Sequence, residues 1–125
     1  MTDDLIAFLR ARFDEDEKTA ACEPSGRRVH PADLQWAYQP DDDPDVPGGD
    51  VIARGHRIVL DSPVVIAAHI ARHDPARVLR EVEAKRRIVD ACERRGLVLS
   101  EINWVVRVLA LPYADHDDYR EVWRP

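Results

Sequence analysis

The sequence predicts an α+β fold, a mainly helical single domain with four helices and a small antiparallel sheet of two or three strands. A chain of 125 residues is long enough to enclose one hydrophobic core. Apolar residues recur at helical spacing in four separate segments. Between residues 27 and 61 the character changes to short β-branched or aromatic runs separated by turn residues, which indicates strands.

The first helix is predicted from residue 3 to about residue 21. Leu5, Leu9 and Phe13 recur at i, i+4 and i+8, which places them on one face of a helix. Two aspartates occupy its first turn, where the helix dipole favours negative charge. A Pro-Ser-Gly sequence at 24–26 is expected to end this helix.

Three short runs predict the sheet: LQWAY at 34–38, DVIAR at 50–54 and RIVLD at 57–61. The connector at 39–50 is rich in proline, aspartate and glycine, so we expect a mobile acidic loop on the surface. Gly55 and His56 stand between two apolar runs at the spacing of a two-residue hairpin. We therefore expect a tight turn there, with His56 as a turn residue and not a ligand.

A short helix is predicted from Pro63 to His73. The hydroxyl of Ser62 is suited to cap its N-terminus, and proline is favoured at the first helical position. The helix should not continue past His73, because Pro75 disfavours helical geometry in the residue that precedes it.

A long helix follows, from residue 75 to about residue 95. Asp74 is its expected N-cap, and two pairs of a glutamate with a basic residue at i, i+4 support it. Gly96 is its expected stop, because glycine accepts the left-handed conformation that often ends a helix.

The fourth helix is predicted at 101–111, capped by Ser100 and terminated by Pro112. After it, Tyr119 and Trp123 are spaced at i, i+4. We expect a final short helical turn that holds the C-terminus in place by aromatic packing.

The charge of the chain bears on its partners and its compartment. Charged residues make up 34% of the sequence and the formal net charge is -6, which argues against nucleic acids and anionic membranes as partners. There is no apolar run of membrane-spanning length and no secretory leader pattern. Cys22 and Cys92 are far apart in the sequence and belong to no metal-binding or redox motif, so we expect both to be free thiols in a reducing compartment. These features predict a cytoplasmic, soluble protein that does not bind membranes.

One charged residue interrupts an apolar stripe of the long helix. The stripe consists of Val78, Val82, Val89 and Cys92, and Lys85 lies at its centre. In one interpretation the lysine buries its methylenes and extends its ammonium to water beside Glu81. In the other, the ammonium belongs to a partly buried ion pair or polar cluster, which would be a candidate functional site.

His69 and His73 are spaced at i, i+4, as in the zinc motif H-E-x-x-H. Here isoleucine, and not the catalytic glutamate, follows the first histidine. Ile66, Ile70 and His73 share a narrow arc of the short helix, which we expect to face the core, with His69 on its flank. We therefore expect His73 to lie in the core and His69 on the surface, and only Asp115 and His116 to offer further ligands. The sequence predicts no bound metal and no cofactor, and no motif of an established catalytic mechanism is present.

The same long helix carries a basic side. Arg77, Arg80, Arg87 and Arg94 lie within one arc at the helical period, and residues 72–95 hold eight Lys and Arg against five Asp and Glu. A solvated face explains this arc, and so does pairing with the acidic loop or with an acidic protein partner. We take these four arginines as the candidate partner-binding residues.

The segments HIARHDPARVLREVEAKRRIV and ALPYADHDDYREVWRP, with the opening DDLIAFLRARFDEDE, resemble a family of small actinobacterial proteins described only as a domain of unknown function. Members often carry a cysteine-containing insert that looks like a small metal site, whereas 97–103 of this chain contains no cysteine. The resemblance implies no reaction. It marks residues in the shared segments: His69, His73, Asp74, Arg77, Glu81, Lys85, Tyr113, His116, Tyr119 and Trp123.

Two hypotheses of function follow. The favoured one is a non-enzymatic cytoplasmic interaction or regulatory protein that acts through its helical surface and binds a protein partner. A homodimer is one form of it, since helix 101–111 is apolar around most of its circumference, although a buried central helix explains that pattern equally well. The alternative is a metal-dependent or acid/base enzyme that uses His69, His73 and His116. The candidate polar cluster comprises His69, His73, Asp74, Arg77, Glu81, Lys85 and His116.

Overall fold

A computed structural model describes residues 2–23, 25–94 and 99–125. Within these residues there are four α-helices and one three-stranded antiparallel sheet, which confirms the predicted fold class. The chain divides into two compact units. The terminal unit comprises Met1–Asp16 and Glu81–Pro125, and the central unit comprises Glu17–Arg80. That the whole chain is one domain stays a prediction.

The central unit contains the sheet. Its strands are β1 (Trp36–Pro40), β2 (Gly49–Ala53) and β3 (His56–Ser62), in the order β1-β2-β3 with both pairs antiparallel. The three apolar runs of the sequence therefore form the three strands. The predicted loop at 39–50 is shorter than expected, because both of its ends take part in the β1–β2 ladder.

The turn between β2 and β3 lies one residue earlier than predicted. Arg54 and Gly55 form it, with φ angles of 55° and 77°. Ala53 and His56 pair across it, so His56 opens β3 and is not a turn residue. Two successive positive φ angles are those of a type I′ turn, whose twist matches that of the strands.

Helix α2 (Val64–Arg72) packs on the sheet in a different orientation from the predicted one. Its buried residue is Ala67, whereas Ile66 and His73 are exposed. The expectation of a core-facing His73 is therefore wrong, because the helix lies on the sheet through its small residue. The predicted Ser62 cap is wrong as well. Ser62 pairs with Gly49 in the sheet, and the N-cap is Pro63, without a side-chain hydrogen bond.

Helix α3 (Pro75–Arg94) begins as predicted. Oδ1 of Asp74 accepts the backbone N–H of Arg77 at 2.8 Å, which is the hydrogen bond of an N-cap. Its other oxygen, Oδ2, accepts the backbone N–H of Trp36 at 3.1 Å. One carboxylate thus fixes both the start of α3 and the start of β1.

The terminal unit contains the N-terminal part of α1 (Thr2–Ala21), the later part of α3 and α4 (Leu99–Ala110). Two short 3-10 turns follow, Leu111–Tyr113 and Glu121–Trp123. The large side chains that are almost completely buried in this unit are Leu5, Leu9, Phe13, Val82, Val89 and Val106. The core stripe predicted for α1 is confirmed.

Ion pairs join α1 to α3 within the terminal unit. Arg10 donates to Asp90 at 3.1 Å and also to Glu93. Arg86 donates to Asp14 at 2.7 Å. The apolar faces of α1 and α3 are thus flanked by charged pairs, although pairs this exposed contribute little to stability.

On α4, Val106 and Ala110 are buried while Trp104 is 62% exposed. The homodimer predicted through this helix stays a prediction. The predicted stops at Pro24 and Gly96 lie outside the described residues, as does the side chain of Ile102. Helix α4 begins at Leu99, before Ser100, so the prediction that Ser100 is its N-cap is wrong. No helix in the described part of the chain combines the length and the apolar character needed to cross a membrane.

Candidate functional site

A cleft of about 460 Å³ opens in the terminal unit between the beginning of α1 and the C-terminal tail. Two small side chains of α1, Ala7 and Ala11, leave the space for it. The other residues that line the cleft are charged or aromatic: Asp4, Phe8, Arg12, Asp117, Asp118, Tyr119, Arg120 and Trp123.

Arg12 is the buried cation of this cleft, with 7% of its surface exposed. Its Nη2 donates to Oε1 of Glu15 at 2.8 Å, and its Nη1 lies 2.7 Å from Nδ1 of His116. The guanidinium also stands over the Phe8 ring, 5.0 Å from its centroid. A buried charge is costly unless it is paired, so these contacts hold Arg12 in a fixed position.

His116 serves as an acceptor for its neighbours. The backbone N–H of Asp118 donates to its Nδ1 at 3.0 Å, which places the proton of the neutral ring on Nε2. Nη1 of Arg12 lies 2.7 Å from Nδ1 and also close to Nε2, and since a guanidinium can only donate, Nδ1 is the ring nitrogen that can accept from it. A histidine held in this way anchors the tail and is poorly placed to exchange protons with a substrate.

An aromatic cluster centred on Phe8 forms the base of the cleft. Its ring centroid lies 5.1 Å from that of Trp123, 6.0 Å from that of Tyr119 and 6.4 Å from that of Tyr113. The last two contacts have the edge-to-face geometry that aromatic pairs prefer. Tyr119 and Trp123 also contact each other at 5.8 Å. The predicted attachment of the tail by aromatic packing is confirmed.

Three buried polar atoms of the cleft residues have no hydrogen-bond partner within the described part of the chain. They are Nε of Arg12, the hydroxyl of Tyr119 and Nε1 of Trp123. All three can donate, and Trp123 as a whole is only 3% exposed. Buried polar groups are nearly always hydrogen-bonded, so three unpaired donors on residues of one cleft require an explanation.

The rim of the cleft is charged. Arg120 donates to Asp4 at 3.1 Å and stands over the Trp123 ring at 5.2 Å. Asp117 and Asp118 are exposed beside them. The lining thus carries three carboxylates against two guanidinium groups, a slight excess of negative charge.

The two candidate histidines of α2 lie in the central unit. The rings of His69 and His73 stack with centroids 4.3 Å apart, and Nδ1 of His73 lies 3.0 Å from the carbonyl oxygen of His69. Both side chains are exposed. Within the described residues, no three His, Cys, Asp or Glu side chains are arranged so that they could hold a metal ion.

The other predicted residues have local roles. Asp74 caps the helix in which Arg77 lies, and Glu81 is exposed. In the basic arc, Arg87 pairs with Glu83 at 2.9 Å, and Nε of Arg94 donates to the carbonyl of Asp90 at 3.2 Å. Partner binding by Arg77, Arg80, Arg87 and Arg94 stays a prediction.

Lys85 lies among the buried residues Val82, Val89 and Cys92, as predicted from the apolar stripe of the long helix, which we call the seam. The lysine itself is half-buried, and its Nζ stands 5.7 Å from the centroid of the Tyr113 ring. An aromatic face attracts an ammonium through its quadrupole. Tyr113 opens the C-terminal segment, which is one of the two places where the seam predicts a neighbour for Lys85. Whether the ammonium extends to water or belongs to an ion pair stays a prediction.

Tyr113 donates from its hydroxyl to Oδ2 of Asp16 at 2.6 Å. Burial first, and then this hydrogen bond to a carboxylate, raise the pKa of Tyr113 well above its ordinary value of 10.0. The folded chain therefore binds the phenolic proton more tightly than the unfolded chain does.

Stability should consequently fall at high pH through Tyr113. The raised pKa contributes stability that is complete below about pH 10 and is lost as the pH rises above it, because only the unfolded chain then releases the proton. Thermal melts of wild type and Tyr113→Phe from pH 8 to pH 11 measure this. We expect the alkaline decline to be shallower in Tyr113→Phe, and parallel declines would contradict the assignment.

Sequence reasoning missed Arg12 and Phe8, although a signal for Arg12 was present. Arg12 interrupts the apolar positions Leu5, Leu9 and Phe13 of α1, just as Lys85 interrupts the stripe of α3. The contact with His116 could not be read in this way, because 104 residues separate the two.

A family model matches residues 2–125 of the chain, and it describes a family of unknown function (DUF6221). No curated protein matches the chain. No solved structure matches it either.

Proposed function

The chain belongs to the DUF6221 family of unknown function, and we propose from its geometry that it is a non-enzymatic interaction protein whose cleft binds a segment of a partner protein. The cleft in question is that of the terminal unit. The two free cysteines of the chain, Cys22 and Cys92, favour a reducing compartment, so we place this interaction in the cytoplasm.

The unpaired donors of Arg12, Tyr119 and Trp123 carry the proposal. These three atoms are closed to solvent in the free chain, so an occupant must first draw the donors toward the cleft. Each acceptor that it then supplies offsets part of the cost of about 1–3 kcal/mol that an unpaired buried donor carries. Peptide carbonyls are such acceptors, and successive residues of an extended segment present them at regular intervals.

The charges of the lining favour a neutral or basic segment. An anionic ligand would meet Asp4, Asp117 and Asp118, which outnumber the two arginines of the lining. A lysine or arginine of the partner could instead pair with the exposed carboxylates of Asp117 and Asp118. The net charge of -6 attracts a basic partner in the same sense.

The arrangement around His116 supports a binding role over catalysis. Its Nδ1 already accepts the backbone N–H of Asp118, and the Arg12 guanidinium stands against both ring nitrogens. Catalytic acid/base groups need free access to the proton they transfer. His69 and His73 face each other in the central unit, and no contact among the described residues favours the alternative of an enzyme that uses these three histidines.

Peptide selection on the purified full chain tests the proposal. A displayed library of random heptapeptides is enriched on the wild-type protein, and the selected peptides are synthesised and titrated by fluorescence polarisation. We expect enrichment of peptides with basic residues. We also expect five- to tenfold weaker binding to Trp123→Phe and to Tyr119→Phe, because each loses about one hydrogen bond, or about 1 kcal/mol.

Trp104→Phe is the matched control, since Trp104 is 62% exposed and does not line the cleft. It should bind the peptides like wild type. Thermal melts establish that each variant is folded. The proposal fails if no peptide is enriched, or if the selected peptides bind Trp123→Phe and Tyr119→Phe as tightly as wild type.

A further inference from the structure

Independently of the cleft, we infer that a second copy of this chain binds along strand β3 of the central unit and forms a symmetric dimer. The first observation is a concentration of exposed apolar side chains. Five large ones fall within nine residues, each between 43% and 77% exposed: Ile58, Leu60, Val64, Val65 and Ile66. Exposed apolar side chains that group on a protein surface commonly mark a binding site.

Strand β3 is also an edge strand. Among the described residues it pairs with β2, and no further strand follows it in the sheet order. An edge strand presents backbone N–H and C=O groups that another strand can pair with. The apolar side chains of β3 therefore lie next to open hydrogen-bonding positions.

The sequence of β3 is complementary to itself. The run RIVLD at 57–61 begins with a cation and ends with an anion, with three apolar residues between them. An antiparallel pairing of residues 58–60 of two copies, centred on Val59, brings the Arg57 side chain of one copy to the end at which the Asp61 side chain of the second copy lies. The same register places Ile58 opposite Leu60, and opposite charges and paired apolar side chains are favourable cross-strand neighbours.

Both charged side chains are accessible for this contact. Nε of Arg57 donates to Oδ2 of Asp50 at 3.0 Å, yet the side chain is 69% exposed. A guanidinium has five N–H donors, so Arg57 can bind its own Asp50 and an additional carboxylate. Asp61 is exposed as well.

Two features restrict the pairing to a short length. The two register shifts against β2 place the extra residues on β3, one at Ile58 and one between Val59 and Ser62. Asp61 adopts a φ of 49°, outside the β region, and its N–H donates to Oδ1 of Asp50 at 3.0 Å. Bulges of this kind commonly protect an edge from unlimited addition of strands. They limit the backbone pairing to a few residues, so the contact between two copies depends mainly on the exposed apolar side chains of β3 and on Val64 and Val65 of α2.

The mass in solution tests the inference by light scattering after size exclusion. Wild type should elute at twice 14.3 kDa at high concentration. Arg57→Asp and Asp61→Arg should each elute at the mass of one chain, because each variant opposes like charges twice in the symmetric pair. Mixing the two single variants should restore the double mass, because every contact across the mixed pair is then between opposite charges.

Leu60→Glu is a second test and should elute at the mass of one chain. The exposed position tolerates a charge in the monomer, whereas burial of that charge in the interface would disfavour the dimer. Trp104→Glu is its control on α4 and should leave the dimer intact. Circular dichroism confirms that the variants are folded. A wild type that stays monomeric, a mixture that stays monomeric, or a dimer lost only in Trp104→Glu would each overturn the inference. None of these outcomes bears on peptide binding in the cleft.

Discussion

Replacing Phe8 with alanine is expected to lower the free energy of unfolding by about 3–5 kcal/mol, the usual cost of deleting a buried phenylalanine ring. Phe8 is buried and its ring contacts those of Tyr113, Tyr119 and Trp123. It also lies beneath the Arg12 guanidinium. Removing it therefore leaves a cavity and takes away the surface that holds the C-terminal tail.

Chemical denaturation of wild type and Phe8→Ala measures the loss, and Phe8→Leu is the conservative control. Leucine keeps most of the apolar volume but none of the ring contacts, so its effect should be smaller. We also expect Trp123 to become more accessible to a fluorescence quencher in Phe8→Ala. A loss below about 1 kcal/mol would show that the aromatic cluster contributes little to stability.

Asp74→Ala is expected to cost about 2–3 kcal/mol, which is more than the loss of an ordinary N-cap. One oxygen of the carboxylate accepts the N–H of Arg77, and the other accepts the N–H of Trp36. Alanine leaves both donors without their acceptor, at the start of a helix and at the start of a strand. The two losses should add to each other because the bonds are separate.

Asp74→Asn separates the two contributions. Asparagine keeps one acceptor oxygen and replaces the other by a donor, so it should recover about half of the loss. Denaturation curves of the three proteins at neutral pH provide the comparison. If Asp74→Asn and Asp74→Ala are equally destabilised, the two hydrogen bonds do not act separately. If neither is destabilised, the capping role is wrong.

The positions of the helices and strands could be predicted from the sequence because the signals are local. Proline at 75 restarts a helix and Asp74 caps it, whatever lies around them. The strands follow from short β-branched runs between turn residues. Errors of one residue arose at the β2–β3 turn and at the start of α2, where sheet pairing competes with local turn and capping preferences.

The orientation of α2 could not be predicted in this way. Periodicity identified Ile66, Ile70 and His73 as the inner face, since apolar residues are ordinarily buried. The helix instead lies on the sheet through Ala67 and leaves Ile66 exposed. Which side of a helix is buried depends on the shape of the surface on which it packs, and that shape cannot be predicted from the sequence of the helix.

The sequence by itself determined the fold class, the seam around Lys85 and the contact of Tyr119 with Trp123 in the tail, since each depends on residues close together in the chain. Only the tertiary structure decided the candidate site. It placed Arg12 against His116 across 104 residues and gathered Trp123 and Tyr119 around Phe8. A contact between distant segments requires the chain between them to close into a loop, which costs conformational entropy. Packing of the whole core offsets that cost, so no local sequence pattern predicts which distant residues will meet.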